Sequence, residues 1–293
     1  MMHITFTETG IIMAFQTILV HVDDSTSAPA RIGVAIALAK QGGHLIGVAP
    51  TGVSRTLHPN LPPGQTDPTL ALHLGFLREQ AHSALAAFSA RCEAAGLSSY
   101  EARVLDDDAA GGLCLHGRVA DVIVLSQSDP DQGGPGLLAD LPADVVLHAG
   151  TPVLLVPFSG ERASVGQRVL VSWDASREAA IALRLALPLL RHAASVDLAV
   201  FDTGPGSHTA AEAQAADPRA WLARHGVRAS FATHPLAHKR QHVGDALLAL
   251  VAQKNADLLV MGAYGHSRVR ETILGGVTRT LLAAMNVPVL MAH

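Results

Sequence analysis

Cysteine is nearly missing from this chain: Cys92 and Cys114 are the two thiols in 293 residues. That is too few for a disulfide framework or a four-thiolate zinc site, and both read as buried or inert. Excess charge of one sign is also missing. With 21 basic and 25 acidic residues and a net charge of -4, no broad cationic field exists to select nucleic acid or anionic lipid, so neither partner is expected. Long apolar runs are lacking as well; even Ile181 to Leu190 is interrupted by Arg184, short of the ~18 residues that span a bilayer. The first fourteen residues have no Lys/Arg-rich start and carry Glu8, so a secretory signal is not expected, a cytoplasmic location is, and Met13 is an alternative start. Neither a Gly-x-Ser-x-Gly elbow, an HExxH pair nor a phosphate loop ending in lysine occurs, which removes the usual hydrolase, zincin and NTPase signatures.

What is present is a packed-core composition. Hydrophobic residues make up 49%, and the length suits two domains of roughly 100–200 residues each. The chain also repeats itself. Ile18-Leu-Val-His-Val-Asp-Asp-Ser25 predicts a strand and turn, followed by a helix from about Ala28 to Gln41. Val169-Leu-Val-Ser-Trp-Asp-Ala-Ser176 predicts the same, with a helix from Arg177 to His192, and it places Asp174 and Ser176 where Asp23 and Ser25 stood. Each helix is followed by an apolar run, His44 to Ala49 and then Val196 to Phe201, so both halves open as βαβ. The endings repeat too. Asp121-Val-Ile-Val-Leu125 matches Asp257-Leu-Leu-Val-Met261, and Thr151 to Pro157 matches Val287 to His293. Such short, wholly apolar strands belong to parallel sheets covered on both faces. The expected fold is therefore α/β, with two tandem doubly wound, Rossmann-like domains at 15–157 and 168–293, divided within Phe158 to Gln167, where apolar periodicity stops.

The second half carries a feature that the first lacks. After the strand Leu258 to Met261 comes Gly262-Ala-Tyr-Gly265, and beyond nine intervening residues Gly275-Gly276 precede a helix that opens at Val277 and Thr278. Glycine at a strand's carboxyl end permits a sharp turn and lets a phosphate approach the backbone, while the helix start offers free amides and positive potential. Ordinary strand-to-helix turns use glycine as well. Arg268, Arg270 and Arg279 flank this stretch, either to balance phosphate charge or as solvated surface residues. Asp174 suits a turn or a helix cap.

Strand, G-x2-G-x9-G and closing strand, with an early Asp-x-Ser, resemble the universal stress protein family, and the resemblance covers roughly residues 15 to 293. It implies five-stranded parallel α/β domains, often paired or in tandem, whose members with this loop bind ATP while others bind AMP or nothing. It further implies that Gly262, Gly265, Gly275 and Gly276 hold phosphate with Met261, Val277 and Thr278 beside them, and that Asp174 and Val200 lie near adenine and ribose. The family pattern has Ser or Thr directly after the last glycine, where this chain has Gly276, so one hydroxyl ligand is lost. In the first half the loop glycines fall on Ser126, Asp129, Ala139 and Asp140, among the prolines 130, 135 and 142, and no nucleotide is expected there.

The expected function is thus a stress-response or signalling module with one ATP or AMP site, with Mg2+ as an open companion, whose occupancy biases an interface shared with an unidentified protein partner. Two other readings stay open: a slow ATPase or self-phosphorylating enzyme, although no residue has the context of a general base, and an interaction module without nucleotide. The family's pairing habit implies that the closing strands join the two halves as a pseudo-dimer, or two chains as a homodimer. His234, His238 and His242 are four apart, but Pro235 interrupts any helix there, and the stretch reads as a polar loop rather than a metal site.

Overall fold

The computed structural model describes residues 15–53, 68–129, 141–158, 165–202, 215–236, 242–265 and 276–293. The first half runs β1 (Thr17–His21), α1 (Ala28–Ala39), β2 (His44–Pro50), α2 (Pro68–Ala94), β3 (Tyr100–Leu105), α3 (Ala109–Gly117), β4 (Val122–Ser126), α4 (Leu141–His148) and β5 (Val153–Val156). The second runs β6 (Arg168–Ser172), α5 (Arg177–Leu185), α6 (Leu187–Leu190), β7 (Ser195–Asp202), α7 (Pro218–Arg224), β8 (Ser230–Pro235), α8 (Val243–Gln253), β9 (Leu258–Gly262), α9 (Gly276–Ala284) and β10 (Val289–Ala292).

Ten strands form one sheet in the order β3-β2-β1-β4-β5-β10-β9-β6-β7-β8. All neighbours are parallel except β5 and β10, which run antiparallel with Leu154 opposite Leu290. The two closing strands thus join the halves within one chain, each half contributing a five-stranded doubly wound sheet. Alternation along each strand divides the core into two layers. Ile18, Val20, Val122, Val124, Leu258 and Val260 face α1, α2 and α5, whereas Leu19, Ile123, Leu125, Leu259 and Met261 face α3, α4, α8 and α9. Leu154 and Leu290 continue the first layer across the seam, and Leu155 and Val289 continue the second. The Gln127 side chain, from the end of β4, donates to the Leu282 carbonyl of α9 at 2.9 Å, a further tie between halves.

The repeated aspartates before β4 and β9 have a structural task. Asp121 accepts the amides of Gln16 and Thr17 at 2.7 and 2.9 Å, and Asp257 accepts those of Gly166, Gln167 and Arg168 at 3.2, 3.1 and 2.8 Å. Each carboxylate pins the start of the neighbouring strand, satisfying donors that parallel pairing leaves open.

Three expectations need correction. The helix predicted from Arg177 to His192 is two helices, because Pro188 lacks the amide that a continuous helix requires and α6 restarts with proline in its first turn. The helix predicted to reach Gln41 ends at Ala39. His234 lies in a strand, β8, rather than in a polar loop, with its ring 5.7 Å from that of Phe201; His238 falls outside the described residues. No helix among the described residues is long and apolar enough to cross a membrane.

Candidate functional site

Strand β6 has β7 on one side and β9 on the other. From its carboxyl end the chain enters α5 on one face of the sheet, while from β9 it enters α9 on the opposite face. Such a switch point opens a crevice between the diverging connections, the usual place for a ligand in an open α/β sheet.

One wall is the turn into α5. Asp174 Oδ1 accepts the Ser176 amide at 2.9 Å, Ala175 adopts φ 60°, and Ser176 Oγ caps the helix by accepting the Ala179 amide at 3.1 Å. The turn-residue reading of Asp174 therefore holds. The other wall is the glycine turn after β9. The Ala263 amide donates to Ala292 at 2.9 Å, the Ala263 carbonyl lies 3.0 Å from Nδ1 of His293, and Tyr264 takes φ 62°. Its amide donates to Oγ1 of Thr278, in the first turn of α9, at 3.3 Å. Thr278 is buried, so its hydroxyl fastens the strand-end turn to the start of α9 and brings both ends of the glycine segment together.

The three described glycines differ in what they permit. A Cβ on Gly262 would overlap the Ala179 nitrogen and come within 2.5 Å of the Glu178 carbonyl carbon, so this glycine lets α5 lie directly on β9. A Cβ on Gly265 would stand 2.9 Å from Oε2 of Glu178 and 3.3 Å from Oγ of Ser176. A Cβ on Gly276 would meet nothing within 4 Å among the described residues. Gly275, Arg268 and Arg270 lie outside the described residues, and Arg279 is exposed on α9. Val277 packs beside the second core layer, Met261 is buried within it, and Val200 is fully buried in the first layer, two residues short of the end of β7.

Sequence reasoning missed Glu178. It sits in the first turn of α5 and is 7% exposed, yet its carboxylate faces the glycine turn. The available signal was its position four residues before Ala182, on the buried face of a helix.

The equivalent place in the first half is filled. Arg31, from the first turn of α1, is 1% exposed. Its Nε donates to the His21 carbonyl at 2.7 Å, Nη1 to Ser126 Oγ at 2.7 Å, and Nη2 to Asp23 Oδ1 at 2.8 Å. One guanidinium thus ties the carboxyl ends of β1 and β4, and Ser126 stands where Gly262 stands in the repeat. Burial lowers the Arg31 pKa, partly countered by Asp23. Burial pushes the Asp23 carboxyl up, but Arg31, His21 and the Ser25 hydroxyl more than offset this and leave it at about 2. The His21 ring is driven down to about 4, by burial first and by Arg31 second, against the pull of Asp23. It is neutral at pH 7, its Nδ1 has no hydrogen-bond partner, and the 3.4 Å approach to Asp23 is not an ion pair there. Arg31 was also missed, although Ala28, Arg31, Ile32 and Ala35 share one buried helical face.

A cleft of ≈ 310 Å³ opens beside this network between α1 and α2, lined by Asp23, Asp24, Ser25, Gln80, Ser83 and Arg91 among others. Its two carboxylates suit it poorly to phosphate. Cys92 and Cys114 are both buried, as expected; burial with the neighbouring Glu93 raises the Cys92 thiol to about 11, and burial raises the Cys114 thiol as well. No trio of His, Cys, Asp or Glu among the described residues is arranged to hold a metal.

Residues 166–293 match the universal stress protein family. Universal stress protein Slr1230 of Synechocystis sp. is 39% identical over 49 residues, a stretch spanning 17% of this chain and 17% of that protein. Among solved structures, a universal stress protein from Archaeoglobus fulgidus superposes with a TM-score of 0.68 at 18% identity, over 94% of this chain and 97% of its own. A protein of Pseudomonas aeruginosa PAO1 described as functionally unknown superposes with a TM-score of 0.57 at 16% identity, over 96% of this chain and 93% of its own. At these identities the structures speak to the fold, and they do so for both halves together.

Proposed function

The chain belongs to the universal stress protein family, and from that premise we propose that it is a nucleotide-responsive stress or signalling module. In this reading 15–157 and 168–293 are its two domains, and the second holds one ATP or AMP at the crevice between β6 and β9. The observation that carries this reading is the Tyr264 to Thr278 hydrogen bond. It sets the Gly262–Gly265 turn against the amino end of α9, so that bare backbone and free helix amides face one place. Gly276 adds no side chain at that helix end. Phosphate would lie against Gly265, Gly276 and the first turn of α9, with Gly275 between them in sequence, and the base and ribose near Asp174 and the end of β7. Gly262 serves chiefly to seat α5, and Thr278 to hold the turn.

Occupancy would act by favouring one arrangement of α9, which touches the other half through Gln127 and Leu282, and so by altering a surface that a protein partner reads. Buried Glu178 beside Gly265 favours a second reading, an interaction module without nucleotide, because an unbalanced carboxylate opposes phosphate.

Calorimetric titration with ATP and with AMP separates the two. Wild type is expected to bind, and Gly276→Asp, a substitution with space around it, to weaken binding at least about tenfold by placing a negative charge at the helix end. Equal binding by the variant would move the site elsewhere, and no binding by folded wild type would establish the second reading.

A further inference from the structure

The cleft between α1 and α2 belongs to the first half, and its lining is chemically divided. Along α2 it is lined by Gln80, Ser83, Ala84, Ala87 and Arg91. Gln80, Ala84, Ala87 and Arg91 each stand one residue before Ala81, Leu85, Phe88 and Cys92, which pack in the core, so the cleft follows the shoulder of the helix. Its floor is apolar, from Ala84 and Ala87 on this side and from Ala28, Pro29 and Ile32 on α1. The ends differ in charge. Both helices start from the carboxyl ends of the parallel strands β1 and β2 and therefore run the same way across the sheet. The β1–α1 turn, with Asp23, Asp24 and Ser25, lies toward Gln80, whereas Arg91 follows Gln80 by three helical turns, roughly 16 Å at 1.5 Å per residue.

The polar groups at both ends are uncommitted. Asp23 Oδ1 receives the Ser25 amide, the Ser25 hydroxyl and the Arg31 guanidinium, whereas among the described residues no hydrogen bond reaches Oδ2. Nδ1 of buried His21 stands 3.4 Å from that oxygen and is itself without a hydrogen bond. Nor, among the described residues, does a hydrogen bond or ion pair hold the side chain of Asp24, Gln80, Ser83 or Arg91. Arg31 balances Asp23, so Asp24 leaves one end anionic while Arg91 makes the other cationic. A free phosphate or a diamine would meet one favourable charge and one opposed. We propose that this cleft binds a small zwitterion whose charges are separated by an alkyl stem, an ω-amino or ω-guanidino carboxylic acid. Its cation lies against Asp24 and Oδ2 of Asp23, its stem on the apolar floor, and its carboxylate on Arg91. The volume of ≈ 310 Å³ is at the small end of the roughly 300–1,000 Å³ typical of ligand sites and suits a metabolite of this size. The site concerns the first half alone, so it stands or falls apart from the nucleotide reading.

The test is calorimetric titration of the full chain with three matched probes: ε-aminocaproate, which carries both charges, hexylamine, which lacks the carboxylate, and hexanoate, which lacks the ammonium. Wild type is compared with Asp24→Asn and Arg91→Gln; both residues are exposed, and circular dichroism verifies folding. Wild type should bind ε-aminocaproate with a Kd below about 1 mM and each one-charge probe at least about fivefold more weakly. The losses should not add. In Arg91→Gln, ε-aminocaproate and hexylamine should bind alike to within about twofold, and in Asp24→Asn the same should hold for ε-aminocaproate and hexanoate, because each substitution removes the partner of the group that the probe lacks. L-lysine, the same ligand with an added α-ammonium, distinguishes the source: binding at least as tight as that of ε-aminocaproate identifies a basic amino acid, and weaker binding a simple ω-amino acid. No saturable binding of ε-aminocaproate or L-lysine up to about 10 mM by folded wild type overturns the proposal. Equal binding of ε-aminocaproate and hexylamine by wild type overturns it as well, and so do probe differences that both variants leave unchanged.

Discussion

At the carboxyl end of β1 an arginine is buried against a serine, an aspartate and a backbone carbonyl. At the carboxyl end of β6, glycines leave the backbone bare around a buried glutamate. The surrounding framework is the same in both places, with Asp23 and Asp174 each two residues past the strand and each accepting the amide of the serine two residues on. What differs is the side chains mounted on it, among them Ser126 against Gly262, Arg31 against Ala182 and Ser27 against Glu178. A guanidinium supplied by the chain fills the first place, whereas the second keeps a buried carboxylate beside its glycine turn. One fold thus carries an arginine-filled strand end in one half and a glycine-lined one in the other through exchanges that leave the sheet untouched, consistent with function residing in sites mounted on a fold.

The largest expected effect comes from unsealing the first half. Arg31→Leu leaves Asp23 and Ser126 without their buried partner and should cost about 3–5 kcal/mol in urea unfolding; a loss below about 1 kcal/mol would mean that the guanidinium is not what holds β1 to β4. Next comes pH. Burial holds the His21 ring at about 4 in the folded chain against an ordinary 6.5, so the unfolded state gains the proton first as pH falls. Stability should therefore decline from pH 6.5 to about 4, by an amount on the order of 3 kcal/mol. Asp23, at about 2 rather than 3.8, adds stability above pH 3.8 that is lost between there and pH 2. His21→Gln should flatten the upper part of this profile, and an unchanged profile would remove His21 as its source.

In the open half Gly262→Ala forces α5 away from β9 and should destabilise by about 1–3 kcal/mol. Gly276→Ala, with nothing among the described residues near the added carbon, should stay within about 0.5 kcal/mol. Equal costs at these two glycines would erase the distinction drawn between seating a helix and leaving an end open. Smaller again, Ser176→Ala removes the cap of α5 for about 1 kcal/mol, measurable as a shift in the urea midpoint.

The repeat, the strands β1, β4, β6, β9 and their turns were legible because fully buried parallel strands concentrate β-branched and aliphatic residues into unbroken runs. The meeting of β5 with β10 within one chain was one of two pairings that the family resemblance left open, and its antiparallel direction was not read from any residue pattern. The edge strands were hidden for the converse reason. Tyr100–Leu105 carries Glu101 and Arg103, and Ser230–Pro235 carries His234 and ends on proline, which suits an edge. At the site, glycine spacing marked the turn, but Arg31 and Glu178 act through partners 95 residues away in one case and 87 positions along the chain, at Gly265, in the other. A charged residue on an apolar helical face signals that something distant meets it without saying what.

The measurement closest to the central contrast is native mass spectrometry of the intact chain with ATP and Mg2+. One nucleotide per chain, retained in Arg31→Leu if that variant folds and lost in Gly276→Asp, is the predicted result. Two nucleotides on wild type would show that Arg31 does not seal the first half, and none would contradict an open second half.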